Sequence, residues 1–359
     1  MRPLKLLLLL PLLAGLGGCN FVVLDPSGHI AAQQRDLLVI STGLMLIIII
    51  PVMALTVLFA WRYRHSNNAA KYEPDWDHST MLELVIWAAP LAIIICLGAL
   101  TYLGTHLLDP YRPLARINHD QPVPADTKPL EIEVVSLDWK WLFIYPESGV
   151  ASVNEVAVPV DRPVRFRLTS GSVMNAFYVP AMAGMIYSMA GMETQLHAVM
   201  NQPGEFEGFS SNYSGEGFSG MRFVMKSVDD AGFDAWIEAA RNSARTLDRD
   251  AYLELAKPSE KVPAETFTNV DPSLFQAIVE QCVEPGSLCM SEWMVADDGS
   301  PLCGPLTTAS LNEADFTVDA PMSRPHGTGL SPVRGAGMKT PTDKSWQATE
   351  AALPAPTQL

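Results

Sequence analysis

Residues 37–60 read LLVISTGLMLIIIIPVMALTVLFA, a run with no Asp, Glu, Lys or Arg. A second uncharged run, LVIWAAPLAIIICLGALTYLGT, fills residues 84–105. At a rise of about 1.5 Å per residue, either run as a helix crosses about 30 Å of hydrocarbon. Pro51 and Pro90 fall inside the runs, and membrane helices tolerate proline at the cost of a kink. The pattern predicts two transmembrane helices, 37–61 and 82–107, joined by a loop over 62–81. That loop carries Arg62, Arg64 and Lys71, as the positive-inside rule expects of a cytoplasmic segment. Asp75 and Asp77 count for little under that rule. Trp61, Tyr63, Trp76 and Trp87 suit the membrane–water boundary. Everything from Asp109 onward then lies on the outer face.

The N-terminus reads as an export signal over residues 1–18. Arg2 and Lys5 form its basic start, and Leu6 to Leu13 an apolar stretch too short to span. Leu16-Gly17-Gly18-Cys19 follows and resembles a lipobox. Cleavage before Cys19 would leave it as an acylated first residue, heading an outer segment 19–36. One acyl chain is a weak anchor, and the hairpin supplies a stronger one.

The outer part begins with a proline-rich linker, 108–129, containing Pro110, Pro113, Pro122 and Pro124. Short β-rich runs come next: Glu131–Val135, Trp139–Tyr145, Val153–Val160 and Val164–Thr169, then runs near Val173–Val179, Gln195–Met200, Glu205–Ser210 and Arg222–Val228. Many short strands with turn signals between them predict an all-β sandwich over 130–229. Asp230 to Arg241 reads as an amphipathic helix capped by aspartates, and Ser273 to Cys282 as a second, within a small helical region 230–305. From 306 the composition turns to Ala, Pro, Thr, Ser and Gly and reads as a disordered tail.

Of the 39 acidic and 24 basic residues in the chain, only six of each precede Asp109. The whole excess of negative charge sits on the outer part. That argues against nucleic acid or an anionic lipid surface as the partner of the outer domain. Charge alone does not choose between steering a basic protein and simple solubility. Cys96 lies in the second apolar run as a small apolar residue. Cys282, Cys289 and Cys303 are expected in an oxidising compartment, with one disulfide and one spare thiol whose pairing is open. The seven histidines are scattered and form no ligand pair at helical or strand spacing.

Residues 210–221, Ser-Ser-Asn-Tyr-Ser-Gly-Glu-Gly-Phe-Ser-Gly-Met, have the frame of a dinuclear copper loop, Cys-x-Glu-x-Cys-x-x-x-His-x-x-Met. Ser210, Asn212, Ser214 and Phe218 stand at the first four ligand positions, and only Met221 remains. Copper held for electron transfer needs soft thiolate and imidazole ligands. A serine hydroxyl is hard and protonated at neutral pH, phenylalanine has no lone pair, and one thioether does not hold copper. No metal is expected on this chain. Ser210 and Ser214 lack a His–Asp partner pattern, which argues against a hydrolase.

Taken together, these features resemble subunit II of haem–copper respiratory oxidases, and more closely the cytochrome bo-type ubiquinol oxidases. Val173-Met174-Asn175-Ala176-Phe177-Tyr178-Val179-Pro180 matches the segment that supplies the first copper histidine in cytochrome c oxidases, with Asn175 at that position. Asp138-Trp139-Lys140-Trp141 matches the aromatic segment those oxidases use to receive electrons, and Met189-Ala190-Gly191-Met192 is similar to the quinol-oxidase branch. The resemblance implies a two-helix transmembrane hairpin followed by a cupredoxin-like sandwich without copper ligands, anchored in a bacterial inner membrane with its main domain periplasmic. It implies a proton-pumping complex that oxidises ubiquinol and reduces dioxygen to water. Haems and copper would belong to subunit I, with subunits III and IV as further partners and no cytochrome c. This chain would cap subunit I, and Trp139 would serve packing. The family pattern also places a glutamate such as Glu83 at the mouth of a proton-uptake channel of subunit I. The plainer reading of Glu83 is an interfacial carboxylate.

Overall fold

The computed structural model describes residues 21–292, apart from 68, 70, 72–74 and 125. The signal peptide, Cys19, Cys303 and the tail lie outside the described residues. Two long helices come first, α1 (His29–Arg62) and α2 (Thr80–Leu107). Both are apolar and long enough to cross a membrane. The first begins eight residues ahead of the uncharged run, so about two turns, including Arg35 and Asp36, project beyond it. Ala31 is the only described residue of α1 buried within the chain, and Gly104 the only one of α2. The helices touch where Gly104 faces Leu37; a Cβ on Gly104 would meet a Leu37 methyl at 3.0 Å. Their remaining apolar surface is free for lipid or a partner.

Eleven strands follow among the described residues: β1 (Leu130–Leu137), β2 (Lys140–Tyr145), β3 (Val150–Val153), β4 (Glu155–Pro159), β5 (Val164–Ser170), β6 (Asn175–Tyr178), β7 (Ile186–Ser188), β8 (Thr194–Ala198), β9 (Gly204–Ser210), β10 (Arg222–Val228) and β11 (Glu265–Phe267). They form a six-stranded sheet, β11-β3-β2-β1-β5-β8, and a five-stranded sheet, β4-β10-β9-β6-β7. The β1–β5 and β10–β4 pairs are parallel and the others antiparallel. Between the sheets lies an aromatic core of Trp141, Phe143, Phe166, Phe177 and Phe223. Phe177 and Phe223 stack at 5.3 Å, and Trp141 meets both edge-on. Such pairs add about 0.5–1.5 kcal/mol each beyond their burial.

β2 shows why this sheet needs cover on both sides. All six of its residues are buried, whereas a sheet with one wet face would alternate. Trp141, Phe143 and Tyr145 point into the sandwich. Leu142 and Ile144 point the other way, into a second core with Tyr252, Leu274, Phe275 and Ile278. Whereas α3 (Asp230–Arg241) packs Phe233, Ile237 and Ala240 into the sandwich core, the second core is built by α4 (Arg249–Ala256), α5 (Leu274–Val279) and Phe267 of β11. Thus the region expected to be helical also contributes an edge strand, paired with β3, and a helix, α4, that the sequence pattern did not single out. The expected aspartate cap of α3 is present, Asp229 accepting from Gly232 N at 2.9 Å, and Asp248 caps the unforeseen α4 in the same way, accepting from Ala251 N at 2.8 Å. A Cys282–Cys289 disulfide closes the segment after α5.

The linker is no free tether. Pro110 O accepts from His197 N at 3.1 Å, and Ile117, itself buried, accepts through its carbonyl from Asn201 Nδ2 at 3.0 Å. The segment before α1 is tied down as well. Ser27 N and Gly28 N both donate to Ala181 O, at 2.9 and 2.8 Å, and Asn201 N donates to Ser27 O at 2.8 Å. Gly28 sits so close to the sandwich that a Cβ there would lie 2.5 Å from Met182 O. Both outer ends of the hairpin are therefore bonded to the β-domain.

The outer face of the six-stranded sheet changes character at β1. Arg167 on β5 donates to Glu193 at 2.7 and 3.0 Å, to Glu133 at 2.9 Å and to Glu131 at 3.1 Å, and lies over the Phe275 ring at 4.9 Å. Three carboxylates share one guanidinium. Glu193 takes two of its N–H groups and is held below the usual carboxylate range by them. Glu133 is buried, and desolvation outweighs Arg167 and pushes its carboxyl up to about 7. With its folded-state pKa above the unfolded one, Glu133 supports the fold fully at acid pH. That support is lost as pH rises from about 4.5 through about 7. Glu133→Gln should remove this titration. The stability difference between variant and wild type should move in the variant's favour by about 1–2 kcal/mol from pH 5 to pH 8, read by denaturant unfolding at each pH.

Candidate functional site

The loop that leads from β9 to β10 lies at one end of the sandwich, beside the start of β6 and the β1–β2 turn. Ser210 closes β9 and Asn175 opens β6. Both are buried, and Ser210 Oγ donates to Asn175 Oδ1 at 3.0 Å. Ser210 N donates to Met221 O at 3.2 Å, and Ser211 N to Ala176 O at 3.0 Å. The Met221 side chain is fully buried in the aromatic core, with Ser214 Oγ 4.0 Å from its sulfur. Asn212 is turned outward and donates to Met174 O at 3.1 Å. Phe218 lies in a single 3-10 turn, Glu216–Gly220, and packs edge-on against Tyr213 at 5.5 Å.

The structure thus brings Asn175, Ser210, Ser214 and Met221 together, while Asn212 and Phe218 face other neighbours. The donors at this end are a carboxamide, two hydroxyls and a thioether. None is a thiolate or an imidazole, the ligands that bind copper tightly. Among the described residues no group of three or more His, Cys, Asp or Glu side chains could hold a metal ion. The buried polar atoms satisfy each other through hydrogen bonds, which contribute about 1 kcal/mol apiece.

Trp139 braces the loop. Leu137 and Lys140 pair across a two-residue turn, and Trp139 occupies it in the left-handed region, at φ 64°. A bulky residue is disfavoured there. Its indole N–H donates to Ser214 O at 3.0 Å, and its ring lies flat on Gly217, where a Cβ would sit 2.5 Å from the indole. Only glycine permits that approach. Asp138 accepts from Ser172 Oγ at 2.6 Å and ties the same turn to the loop before β6. Lys140, fully buried, donates to Lys257 O and Ser259 Oγ just past α4. Burial depresses its ammonium below the ordinary lysine range, with Asp138 opposing. The Asp138–Trp141 motif therefore fastens three parts at once: loop, sandwich and helical region. Sequence reasoning found the motif and missed the bonds, because their partners lie 75 and 117 residues away.

Glu83 sits in the first turn of α2 and pairs with His78 at 2.7 Å, both half exposed. Around the loop end, Val173, Met174, Met185, Tyr187, Met192 and Tyr213 are exposed. Met185 shares a small cleft with Ile30, Leu108 and Pro110, so this apolar face borders the outer ends of the two helices.

Trp139→Phe keeps a ring in place and deletes the N–H. It should cost about 1 kcal/mol and speed amide hydrogen exchange in residues 213–218 with little change in the strands, as measured by mass spectrometry.

Comparison with known proteins places these features in a family. Residues 132–228 match the model of the cytochrome c oxidase subunit II periplasmic domain, and residues 241–286 the aromatic-rich motif found with it. Subunit 2 of the cytochrome bo(3) ubiquinol oxidase of Pseudomonas putida is 50% identical over 266 residues, covering 74% of this chain and 82% of that protein. Ubiquinol oxidase subunit 2 of Acetobacter aceti is 49% identical over 264 residues, covering 74% and 83%. Among solved structures, the periplasmic domain of cytochrome oxidase subunit II from Bradyrhizobium japonicum is 27% identical, with a TM-score of 0.30, over 33% of this chain and 94% of that one. The chain belongs to the family of subunit 2 of the ubiquinol oxidases, within the haem–copper oxidases.

Proposed function

We propose that this chain is the redox-inert subunit II of a proton-pumping terminal oxidase that takes electrons from ubiquinol and reduces dioxygen to water. One observation carries the reading: the loop end offers a carboxamide, hydroxyls and a thioether joined by hydrogen bonds where a copper site would need thiolates and imidazoles. Residues Asn175, Ser210, Asn212, Ser214 and Phe218 are then replaced ligand positions, and Met221 is the one retained. Copper does not fit this donor set, so no electron is routed through the chain. Ubiquinol delivers its electrons within the membrane to the haem- and copper-bearing subunit I.

The remaining roles are mechanical and protonic. The hairpin's apolar surface docks against subunit I, with subunits III and IV completing the complex. The exposed apolar face around Met174, Met185 and Tyr213 caps its outer side. Cys19 carries the lipid anchor, and the domain beyond Asp109 is periplasmic. Glu83 stands at the opposite end of α2 from the sandwich, half exposed and beside an imidazole. A titratable pair there can collect protons for the uptake channel of subunit I, a task that needs no metal.

The test is oxygen uptake by the complex purified through a tag on this chain, supplied in parallel with ubiquinol and with reduced cytochrome c. Uptake with ubiquinol alone, and no copper beyond that of subunit I, is expected. Turnover with cytochrome c would overturn the reading. Glu83→Ala should slow proton uptake and turnover severalfold; unchanged rates in proteoliposomes would return Glu83 to a purely interfacial role.

A further inference from the structure

The segment between α2 and β1 folds back over the first turn of α1 and leaves two adjoining open grooves, of about 240 and 410 Å³. His29 lines both. Arg112 and Arg116 line the first, and His119 the second. His29 is partly buried, and burial first, then the charges of His119 and Arg116, lower its pKa, so the standing positive charge here is that of the arginines. This is a basic cluster in a domain whose net charge is strongly negative. Arg112 donates to His106 O at 3.2 Å and Arg116 to His119 O at 2.6 Å. Each exposed guanidinium thus has one bond to a backbone carbonyl, and among the described residues neither ion-pairs with a carboxylate. Asp109, also in the first groove, accepts from Tyr111 N at 3.0 Å. A guanidinium fixed in this way, with N–H groups to spare, is a receptor for a phosphate or carboxylate.

Two observations choose the source. First, the depth is right. Leu107, in the wall of the first groove, is two residues before Asp109, the first Asp, Glu, Lys or Arg beyond the apolar run of α2, a rise of about 3 Å. The headgroup zone of a bilayer is about 5–8 Å thick on each side. Second, the cations stand beside an apolar wall of Ile30, Leu107, Pro113 and Leu114. A free anion gains nothing from that wall, whereas the glycerol and acyl roots of a lipid would cover it. We propose that the groove binds the phosphate of an anionic phospholipid in the leaflet on the sandwich side, with Arg112 and Arg116 as the principal donors. This rests on the reading that the hairpin crosses the bilayer. It runs against the expectation from net charge that the outer domain avoids anionic lipid; the carboxylates that share the grooves are Asp109 and Asp36, the latter paired with Arg35.

The experiment is native mass spectrometry of the intact complex in detergent, titrated with phosphatidylglycerol, phosphatidylcholine or inorganic phosphate. Wild type should retain phosphatidylglycerol in preference to phosphatidylcholine. Arg112→Gln and Arg116→Gln should each weaken retention about fivefold, and the double variant about thirtyfold. Arg222→Gln, an exposed arginine paired with Glu207 on β10, should leave it unchanged. Arg112→Lys with Arg116→Lys should stay within a few-fold of wild type and guards against misfolding in the glutamine variants. Equal retention by wild type and the double variant would overturn the proposal. So would inorganic phosphate binding with the same arginine dependence while phosphatidylglycerol does not compete. Loss of the chain from membranes in a carbonate wash would instead defeat the membrane reading, and is scored separately.

Discussion

The six-stranded sheet has two apolar faces, and the rest of the β-domain is arranged around that fact. Leu142 and Ile144 would be in water if only the second sheet covered this one. Burying two such side chains is worth about 1.5–3 kcal/mol each, so an uncovered outer face would both destabilise the domain and invite aggregation. The C-terminal helices meet this need, and β11 caps the edge at β3. Where the face turns from apolar to charged, at β1 and β5, the helices still contribute Phe275 as a lid over Arg167. The match of residues 241–286 to a motif of its own is therefore not a sign of independence. Those residues complete a core that the sandwich cannot close alone.

The loop end follows the same logic of mutual satisfaction. Buried polar groups are tolerated only when they are hydrogen-bonded, and Asn175 and Ser210 answer each other across the gap between β6 and β9. The glycines at 215 and 217 let Trp139 press onto the loop from the neighbouring sheet. A metal would cross-link these same segments by coordination. Here a hydroxyl–carboxamide pair and a buried thioether join them at lower energy per bond, and an indole N–H adds a tie to the β1–β2 turn. That accords with our proposal that the scaffold has outlived its redox centre.

Much of this was readable in the chain. Two uncharged runs are unambiguous because bilayer thickness sets their length. The eight strand-like runs all appear as strands; the Val153–Val160 run is β4, and β3, Val150–Val153, went unread apart from its last residue. The helix Asp230–Arg241 has the bounds its capping predicted. What escaped was non-local. β7 and β11 have three residues each, too few for any period to register, and they exist because a neighbour offers free backbone groups. The density of β2 was visible as aromatic content, but a strand buried on both sides has no alternation to reveal its second core. At the candidate site the positions were legible from their spacing, and the bonds were not. Asn175 and Ser210 lie 35 residues apart, and only the sandwich makes them neighbours.

The stitching of Ser27 and Gly28 to the sandwich has a consequence for how the molecule is made. Ser27 also reaches Gln202, 175 residues further along the chain. At ordinary rates of synthesis, roughly 5–20 residues per second, the segment ahead of α1 waits on the order of ten to thirty seconds before its partner emerges. Until then α1 is held by the bilayer and by its contact with α2 at Leu37 and Gly104. The β-domain, on folding, arrests it. Biogenesis thus includes a latch: a loop made well after the first helix, ahead of β9, fixes that helix to the folded domain.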